Sequence, residues 1–341
     1  MLYQGEELLL QIQLAGLLGR GGADFPVSHK WRRIQAVAKP KKYVVCNASE
    51  GEPGVNKDFY LLKHHPQQVI AGMLLAMDFL GTKAAYLSIN RIYWEQLKQT
   101  LQPLLDTTLN KGYEIKVFVE EPSYIGGESS AMLNAIEGKP TQPRAKRPSP
   151  SLLGIFGCPT LVHNVETLFD IYRVASGSYE PDRLCTISGA SAHPGVYRVA
   201  TELTVQAILE QTGNWPLAEG SFVQVGGGAS GVVLNLSQTA AAKLSGCGSI
   251  TVYGPEVSTY HFLKQLFRFY AKESCGKCIP CFKGSASLAK LIDELAENEP
   301  IPWEQISAIV KDMGRGSFCN LGTSIVLPVR SYANNILNLV L

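Results

Sequence analysis

The stretch YVVCNASEGEPGVNKD, residues 43–58, carries the first signal of the fold. A short β-branched run is followed by a segment rich in Gly and Pro, and then by the helical pattern PQQVIAGMLLAMDFLG. The alternation continues through AAYLSIN, IYWEQLKQTLQPLLDTTL and YEIKVFVE, up to residue 120. Short strands that alternate with longer helices predict a parallel sheet with crossover helices.

The rest of the chain changes its pattern twice. A loop-rich stretch over residues 122–164 is dense in Gly and Pro, and long irregular segments of this kind tend to carry function. From residue 184 to 254 the runs CTISG, GVYRVAT, TVQAILEQTG, FVQVGGG and SITVYG predict a small α+β module with one helix against a mixed sheet. Beyond Pro255 the apolar spacing predicts four short helices that form a bundle.

The bulk composition is that of a globular protein. Of 341 residues, 45% are hydrophobic and 18% are charged, which is far from the disordered class. The net charge of +2 gives no indication of nucleic acid. The N-terminal run reads as an amphipathic helix, and no segment approaches the ~18–20 apolar residues of a membrane span. We therefore expect a cytoplasmic protein with no nucleic-acid partner and no direct membrane insertion. Membership of a membrane-associated complex is compatible with this expectation.

A cysteine cluster points to metal chemistry. The segment ESCGKCIPC places Cys275, Cys278 and Cys281 in C-x2-C-x2-C spacing, and Cys319 follows in SFCNLG. Three close thiolates and a remote fourth are typical of a 4Fe-4S cubane. Zinc and unliganded thiols are the alternatives, although zinc sites usually draw their thiols from two separated pairs.

The other four cysteines have apolar or glycine-rich neighbours. We expect them to be small buried residues rather than ligands. They are Cys46, Cys158, Cys185 and Cys247.

A second glycine-rich segment, LLGRGGADFPVSHKW, spans residues 17–31. Glycines let backbone N–H groups approach a phosphate closely, and the charges of Arg20 and Lys30 suit an anion. Taken alone, such a loop is weak support for a binding site, because most glycine-rich loops are turns.

Five motifs in one order carry a family resemblance. The glycine-rich segment, CNASEGEPGVNKD, YIGGES, FGCPTLVHNVETL and ESCGKCIPC together resemble the flavin-bearing 51 kDa subunit of respiratory complex I and its relatives in NAD-linked hydrogenases and formate dehydrogenases. The resemblance covers almost the whole chain from Gly19 onward. It implies an oxidoreductase subunit that uses FMN, a 4Fe-4S cluster and NAD(P)(H).

The resemblance also implies an architecture and partners. The fold class would be α/β followed by α, with a Rossmann-like flavin domain (1–178), a β-grasp module of the soluble-ligand-binding type (179–254) and a C-terminal four-helix bundle that holds the cluster (255–341). The implied partners are a thioredoxin-like 2Fe-2S subunit and a larger iron–sulfur subunit. One phosphate cradle with no second G-x-G-x-x-G after a strand favours FMN over FAD.

Binding residues are carried over position by position from the family motifs. The residues implied near FMN and its phosphate are Gly19, Arg20, Gly21, Gly22 and Lys30, and those implied by the isoalloxazine and nicotinamide are Asn47 and Glu50. Those implied around the flavin are Tyr124, Gly127 and Glu128. The family's N-N-V-E-T segment contributes His163, Asn164 and Thr167, with histidine replacing the first asparagine. The cluster ligands are the four cysteines named above, and no catalytic acid, base or nucleophile is expected.

The chain departs from the family pattern mainly around the nucleotide. The changed positions are Asp24 and Ser28 in the first loop, Ser49 and Ser129 where carboxylates are expected, and Arg33 and Ser149 where aromatics help to clamp NADH, with Arg147 nearby and Phe25 retained. These departures leave two hypotheses open. The first is an NAD(P)H dehydrogenase subunit. The second is an electron-relay subunit that keeps flavin and cluster but binds no nicotinamide.

Overall fold

A computed structural model describes residues 2–144 and 149–340, which form two compact units. Unit 1 comprises residues 1–51 and 56–181, and unit 2 comprises residues 52–55 and 182–341. The expected boundary at residue 178 lies close to the end of unit 1, whereas residues 182–254 and 255–341 belong to one unit. The three-domain division therefore stays a prediction.

Within the described residues, unit 1 contains a parallel sheet of four strands in the order β3-β2-β1-β4. The strands are β1 (Tyr43–Ala48), β2 (Ala84–Asn90), β3 (Glu114–Glu120) and β4 (Thr160–Asn164). The register pairs Val44 with Ala85 on one side and with Leu161 on the other. This sheet confirms the predicted strand–helix alternation, and it brings the carboxyl ends of all four strands to one edge.

Helices cover this sheet. They are α1 (Gly5–Leu14), α2 (Val27–Gln35), α3 (Lys57–His64), α4 (Pro66–Leu80), α5 (Arg91–Asn110), α6 (Ser129–Ile136) and α7 (Val165–Ala175). The helix α4 starts at Pro66, where a missing N–H costs nothing, and stops at the left-handed Gly81. A Cβ on Gly72 of α4 would lie 1.9 Å from the carbonyl oxygen of Leu168 in α7. Only glycine allows the two helices to approach so closely.

Unit 2 begins with a mixed sheet and one helix, as predicted. In the described part of the chain the strand order is β6-β5-β9-β7-β8, in which β5 and β9 run parallel and the other neighbours run antiparallel. The elements are β5 (Asp182–Gly189), β6 (Gly195–Ala200), α8 (Val205–Gln211), β7 (Phe222–Val225), β8 (Val232–Asn235) and β9 (Ser249–Tyr253). The strand β8 was not predicted. Ile187, Val223 and Ile250 lie in the core of this module.

Helices complete unit 2. Those described are α9 (Thr259–Glu273), α10 (Ile279–Asp293), α11 (Trp303–Gly316), α12 (Asn320–Ser324) and α13 (Val326–Leu337). Four of these are longer helices in the predicted region, and the five-residue α12 was not foreseen. Across the described residues, no helix has both the length and the apolar character needed to cross a membrane.

Residues 52–55 join the rest of unit 2 through the buried carboxylate of Glu52 and through backbone hydrogen bonds. Oε1 of Glu52 accepts hydrogen bonds from the backbone N–H groups of Ala229 and Ser230, at 2.8 and 3.0 Å. The Ser230 hydroxyl donates to the same oxygen at 3.1 Å. The carbonyl of Pro53 accepts from the N–H of Gly228 at 3.0 Å. A segment from early in the sequence thus fixes a turn that lies 177 residues later.

Candidate functional site

The glycine-rich loop lies at the start of α2. The N–H of Gly19 donates to the carbonyl of Phe25 at 2.9 Å, which closes the loop on itself. Gly21 and Gly22 lie exposed in this loop, and Gly22 has a φ of +92° that favours glycine. Phe25 keeps 45% of its surface exposed. The loop therefore offers accessible backbone, as a phosphate site would require, and an exposed aromatic ring lies beside it.

Arg20 faces the interior of unit 1 rather than solvent. Its Nε lies 3.2 Å from Oδ2 of Asp170, and its Nη2 donates to the Tyr179 hydroxyl at 3.2 Å. Its backbone N–H donates to Oγ1 of Thr167 at 2.9 Å. Arg20 and Thr167 thus fasten the glycine loop to α7. The guanidinium that the family motif places near phosphate acts here as an internal anchor.

Lys30 is a second cation near this loop. It is half-buried, and its Nζ donates to the carbonyl of Val162 at 2.9 Å. Burial lowers the pKa of Lys30 to about 8. A phosphate nearby would raise this pKa again, because an opposite charge favours the ionised form. The position and chemistry of this lysine fit the expected anion.

The histidine that replaces asparagine has a defined partner. His163 is buried, and its Nε2 accepts the indole N–H of Trp31 at 2.9 Å. Burial, with Lys30 adding to it, lowers the pKa of His163 well below its ordinary value. The imidazole is therefore neutral and carries its proton on Nδ1. Its role is to satisfy a buried indole.

The carboxyl end of β1 is locked against the turn at residues 124–128. Nδ2 of Asn47 donates to the carbonyl of Gly127 at 3.0 Å. A Cβ on Gly127 would lie 2.8 Å from the Ser49 carbonyl oxygen, and one on Gly51 would lie 2.7 Å from Cα of Tyr124. Two of the predicted flavin segments therefore touch through their backbones.

The carboxylate of Glu128 caps a helix. Its Oε2 accepts from the Ala131 N–H at 2.8 Å and from the Ser130 hydroxyl at 2.6 Å, at the start of α6. Its neighbour Ser129 is the first residue of α6. Arg33 is exposed on α2, and Ser149 has a buried hydroxyl with no hydrogen-bond partner among the described residues. Arg147 lies outside the described residues.

The site rests on a buried ionic cluster that the sequence analysis missed. Lys57 is 2% exposed, and its Nζ lies 2.7 Å from Oδ1 of Asp58 and 3.2 Å from Oε2 of Glu166. It also donates to Oδ1 of Asn164 at 3.0 Å. Burial acts to lower the pKa of Lys57, but Asp58, Glu166 and Glu50 together raise it. The lysine is thus held as a cation inside the unit.

Glu50 adjoins this cluster at the start of α3. It accepts from the backbone N–H of Asp58 at 3.0 Å and from the Tyr93 hydroxyl at 2.9 Å. Burial, with the charge of Asp58 adding to it, raises the pKa of Glu50 to about 7. Four of the segments predicted to hold flavin are therefore linked by contacts at one edge of the parallel sheet. The signal that could have revealed the cluster is the Lys57-Asp58 pair at the start of the helix that follows the Pro53-Gly54 turn.

In unit 2 the motif cysteines lie at the ends of helices. Cys278 precedes α10 and Cys319 precedes α12, while Cys281 lies in the first turn of α10. Gly276, with a φ of +77°, turns the chain between Cys275 and Cys278.

The remote cysteine is brought back by α12. A Cβ on Gly322, three residues after Cys319, would lie 3.0 Å from Cβ of Cys281. The Ser274 hydroxyl lies 3.5 Å from Sγ of Cys281, and burial raises the pKa of that thiol. Within residues 2–144 and 149–340, no group of three or more His, Cys, Asp or Glu is placed so that it could hold a metal ion. In chemical type, four cysteine thiols are the donors that a cubane requires, with each thiolate on a different iron.

The other cysteines divide into two pairs. Cys46 and Cys185 are buried as expected. Cys158 and Cys247 are partly exposed, which corrects the expectation for those two. Cys158 follows Gly157 and packs against the hydrophobic cluster around Ile155, whereas Cys247 lies in a turn between two glycines.

Comparisons with known proteins agree on a family. The profile of the Nuo51 FMN-binding domain matches residues 12–173, and that of the NADH-ubiquinone oxidoreductase-F iron-sulfur binding region matches residues 261–337. The chain is 30% identical to an F-type subunit of NADH-quinone oxidoreductase from Rhizobium meliloti, over 96% of this chain and 86% of the relative. These matches favour the 4Fe-4S expectation over zinc.

Hydrogenase subunits are also similar. The alpha subunit of the NAD-reducing hydrogenase HoxS of Cupriavidus necator is 29% identical, with 96% of this chain and 59% of that subunit covered. A crystal structure of NAD+-reducing NiFe-hydrogenase in the air-oxidized state superposes with a TM-score of 0.90 at 30% identity. That match covers 97% of this chain, which spans 61% of the hydrogenase chain.

Proposed function

The chain belongs to the family of F-type subunits of NADH-quinone oxidoreductase, and from that premise we propose that it is the flavin and iron–sulfur subunit of a multi-subunit oxidoreductase. It passes electrons between NAD(P)H, FMN and a 4Fe-4S cluster. FMN, when bound, exchanges two electrons with a nicotinamide and single electrons with an iron–sulfur cluster. The protein contributes position and electrostatics, with no side-chain nucleophile.

One observation carries the proposal. Segments that lie far apart in the sequence meet at the carboxyl edge of the unit 1 sheet: Asn47 bonds to Gly127, Asn164 to Lys57, and Arg20 to Thr167. This edge is where open α/β sheets bind their ligands. The glycine loop and Lys30 would hold the phosphate, and the segments around Asn47 and Tyr124 would orient the ring.

The finer architecture and partners are part of the same proposal. The mixed sheet with α8 supports a β-grasp module, and the helices after residue 255 support a cluster-holding bundle. The family supports a thioredoxin-like 2Fe-2S subunit and a larger iron–sulfur subunit as neighbours. The site in unit 2 would bind the cluster through Cys275, Cys278, Cys281 and Cys319.

A second candidate function is an electron relay without nicotinamide. It is favoured by the exposed cation Arg33 on α2 and by the small polar Ser129 at the start of α6, where the family pattern has an aromatic and a carboxylate. The exposed ring of Phe25 and the retained Glu50 favour nicotinamide binding instead.

Anaerobic purification with absorbance spectra tests both functions. We expect FMN and about four iron and four sulfide per chain, and loss of the oxidised flavin absorbance on addition of NADH or NADPH. Flavin and cluster that neither nucleotide reduces would establish the relay function. A protein with zinc and neither flavin nor sulfide would exclude both.

A further inference from the structure

A serine hydroxyl lies against one of the motif thiols of unit 2. Oγ of the half-buried Ser274 and Sγ of Cys281 form a hydrogen bond of 3.5 Å. Cys281 keeps only 5% of its surface exposed. A hydrogen bond that is shielded from water is electrostatically stronger than an exposed one. The serine therefore places a polar group directly beside a sulfur that we expect to bind iron.

The backbone between two helices sets this contact. Helix α9 ends at Glu273, and Ser274 follows in an extended conformation with a φ of −65° and a ψ of 120°. Gly276, with a φ of +77°, then turns the chain toward α10, whose first turn contains Cys281. A serine side chain has one rotatable bond before its oxygen, so the backbone largely decides where that oxygen lies. The hydroxyl is thus held near the sulfur by the local fold.

Iron binding would fix the direction of this hydrogen bond. Between a hydroxyl and a thiol, either atom could be the donor. A cysteine binds iron as a thiolate, which has no proton left to donate. A hydroxyl carries one proton and can donate it to an acceptor. With iron on Cys281, the Ser274 hydroxyl is therefore the donor and the negatively charged sulfur is the acceptor.

A donor at this position acts on the energy of reduction. A 4Fe-4S cluster accepts one electron, here from reduced FMN, so the charge of the cluster and its thiolates becomes more negative by one. Hydrogen bonds to the sulfurs are among the factors that set the reduction potential, because they stabilise the more negative state. We propose that the Ser274 hydroxyl, acting through Sγ of Cys281, raises the reduction potential of the cluster. This inference rests on the proposed function.

A second serine on α10 provides a matched control. Ser285 lies one turn after Cys281 and is 1% exposed. Its hydroxyl donates to the carbonyl of Phe282 at 3.5 Å. Ser274→Ala and Ser285→Ala each remove one hydroxyl from the same part of unit 2. Of the two variants, only Ser274→Ala removes a donor that is bonded to a motif sulfur.

The measurement is the midpoint potential of the cluster in the purified full chain, from a redox titration followed by EPR. We expect Ser274→Ala to lower the equilibrium constant of the one-electron reduction about threefold to tenfold, which is a potential lower by about 30–60 mV. Ser274→Thr keeps a hydroxyl, and Ser285→Ala keeps the bond to sulfur. Both should change that constant by less than about 1.5-fold.

Iron and sulfide analysis of each variant separates an effect on the potential from an effect on cluster binding. Equal potentials in the wild type and Ser274→Ala overturn the inference, as does an equal drop in Ser274→Thr or in Ser285→Ala. If Ser274→Ala loses its iron and sulfide, the hydroxyl holds the cluster in place rather than setting its potential, and the inference also fails. A wild-type chain without iron and sulfide refutes the proposed function itself.

Discussion

The sheet edge of unit 1 and the cysteine segments of unit 2 are organised in opposite ways. At the sheet edge, charged groups hold one another: Lys57 bridges Asp58 and Glu166, and Arg20 pairs with Asp170. In unit 2 the expected ligands are thiols placed at helix ends. The comparison teaches that charged groups of the protein can preform a flavin site without its ligand, whereas a site made of thiols is expected to gain its order only when metal binds.

The cysteine side of this comparison is expected to give the largest effect. Cys281→Ser removes the buried thiol beside Gly322 that we expect to bind iron, so the iron content should fall from about four per chain to near zero. Cluster loss should also lower the thermal stability, because metal binding and folding are coupled. Iron and sulfide analysis measures the first effect and calorimetry the second. The control is Cys247→Ser, in a turn outside the motif, and equal iron in the two variants would contradict the ligand assignment.

The buried ionic cluster of unit 1 is expected to stabilise the protein even when no cofactor is bound. Lys57→Met leaves Asp58 and Glu166 buried without their cation, and breaking a buried pair in this way costs about 3–5 kcal/mol. We expect this loss in the free energy of unfolding of the flavin-free protein, measured in urea. The exposed Lys98→Met on α5 is the control. A loss that appears only after FMN is added would contradict the idea of a preformed site.

Reversing the charge of Lys30 tests whether the glycine loop of unit 1 binds the FMN phosphate. Lys30→Glu replaces the half-buried ammonium by a carboxylate that repels phosphate, so FMN should bind about 10–100-fold more weakly. Flavin content after gel filtration and titration of the flavin-free protein measure this. Lys98→Glu, which changes the total charge equally on an exposed face, should retain flavin. Full retention by Lys30→Glu would remove the lysine from the phosphate site.

The smallest expected effect concerns the nucleotide. An aromatic contact contributes about 0.5–1.5 kcal/mol beyond area burial, so Arg33→Phe should tighten NADH binding about 2–12-fold. In the wild type we expect NADH to reduce the flavin weakly, because the family's aromatic contact is missing. Either NADPH is preferred, because a guanidinium can bind its additional phosphate, or neither nucleotide reduces the flavin. Stopped-flow flavin reduction measures this, with Arg32→Phe as the neighbouring control. Fast, tight reduction by NADH in the wild type would refute the expectation.

The sequence predicted the elements better than the contacts. Strong alternation over residues 43–120 located β1 to β3 correctly because long periodic runs have one plausible secondary structure. The four-residue β8 and the five-residue α12 were missed, since so few residues establish no period, whereas the equally short β7 was marked by the three glycines after FVQV. Short elements are held by tertiary packing, which local sequence does not encode.

The candidate site shows the same limit at the level of side chains. The motif placed Arg20 beside a phosphate, yet its guanidinium turns inward to Asp170, because a loop sequence does not specify which side of the backbone faces the core. Lys57 and Asp58 lie in the motif CNASEGEPGVNKD but were given no role of their own, since their partners Asn164 and Glu166 lie far along the sequence.

The contacts of Glu52 have a consequence for synthesis on the ribosome. Residues 52–55 emerge early, but the N–H groups of Ala229 and Ser230 that bond to Glu52 emerge 177 and 178 residues later. At roughly 5–20 residues per second, that interval is about 10–35 seconds. During it, the segment between Gly51 and Asn56 must stay out of wrong pairings while the residues around it fold. A nascent chain halted before β7 has emerged from the ribosome would therefore leave this segment open to protease. A chain in which Ser230 has also emerged would protect it.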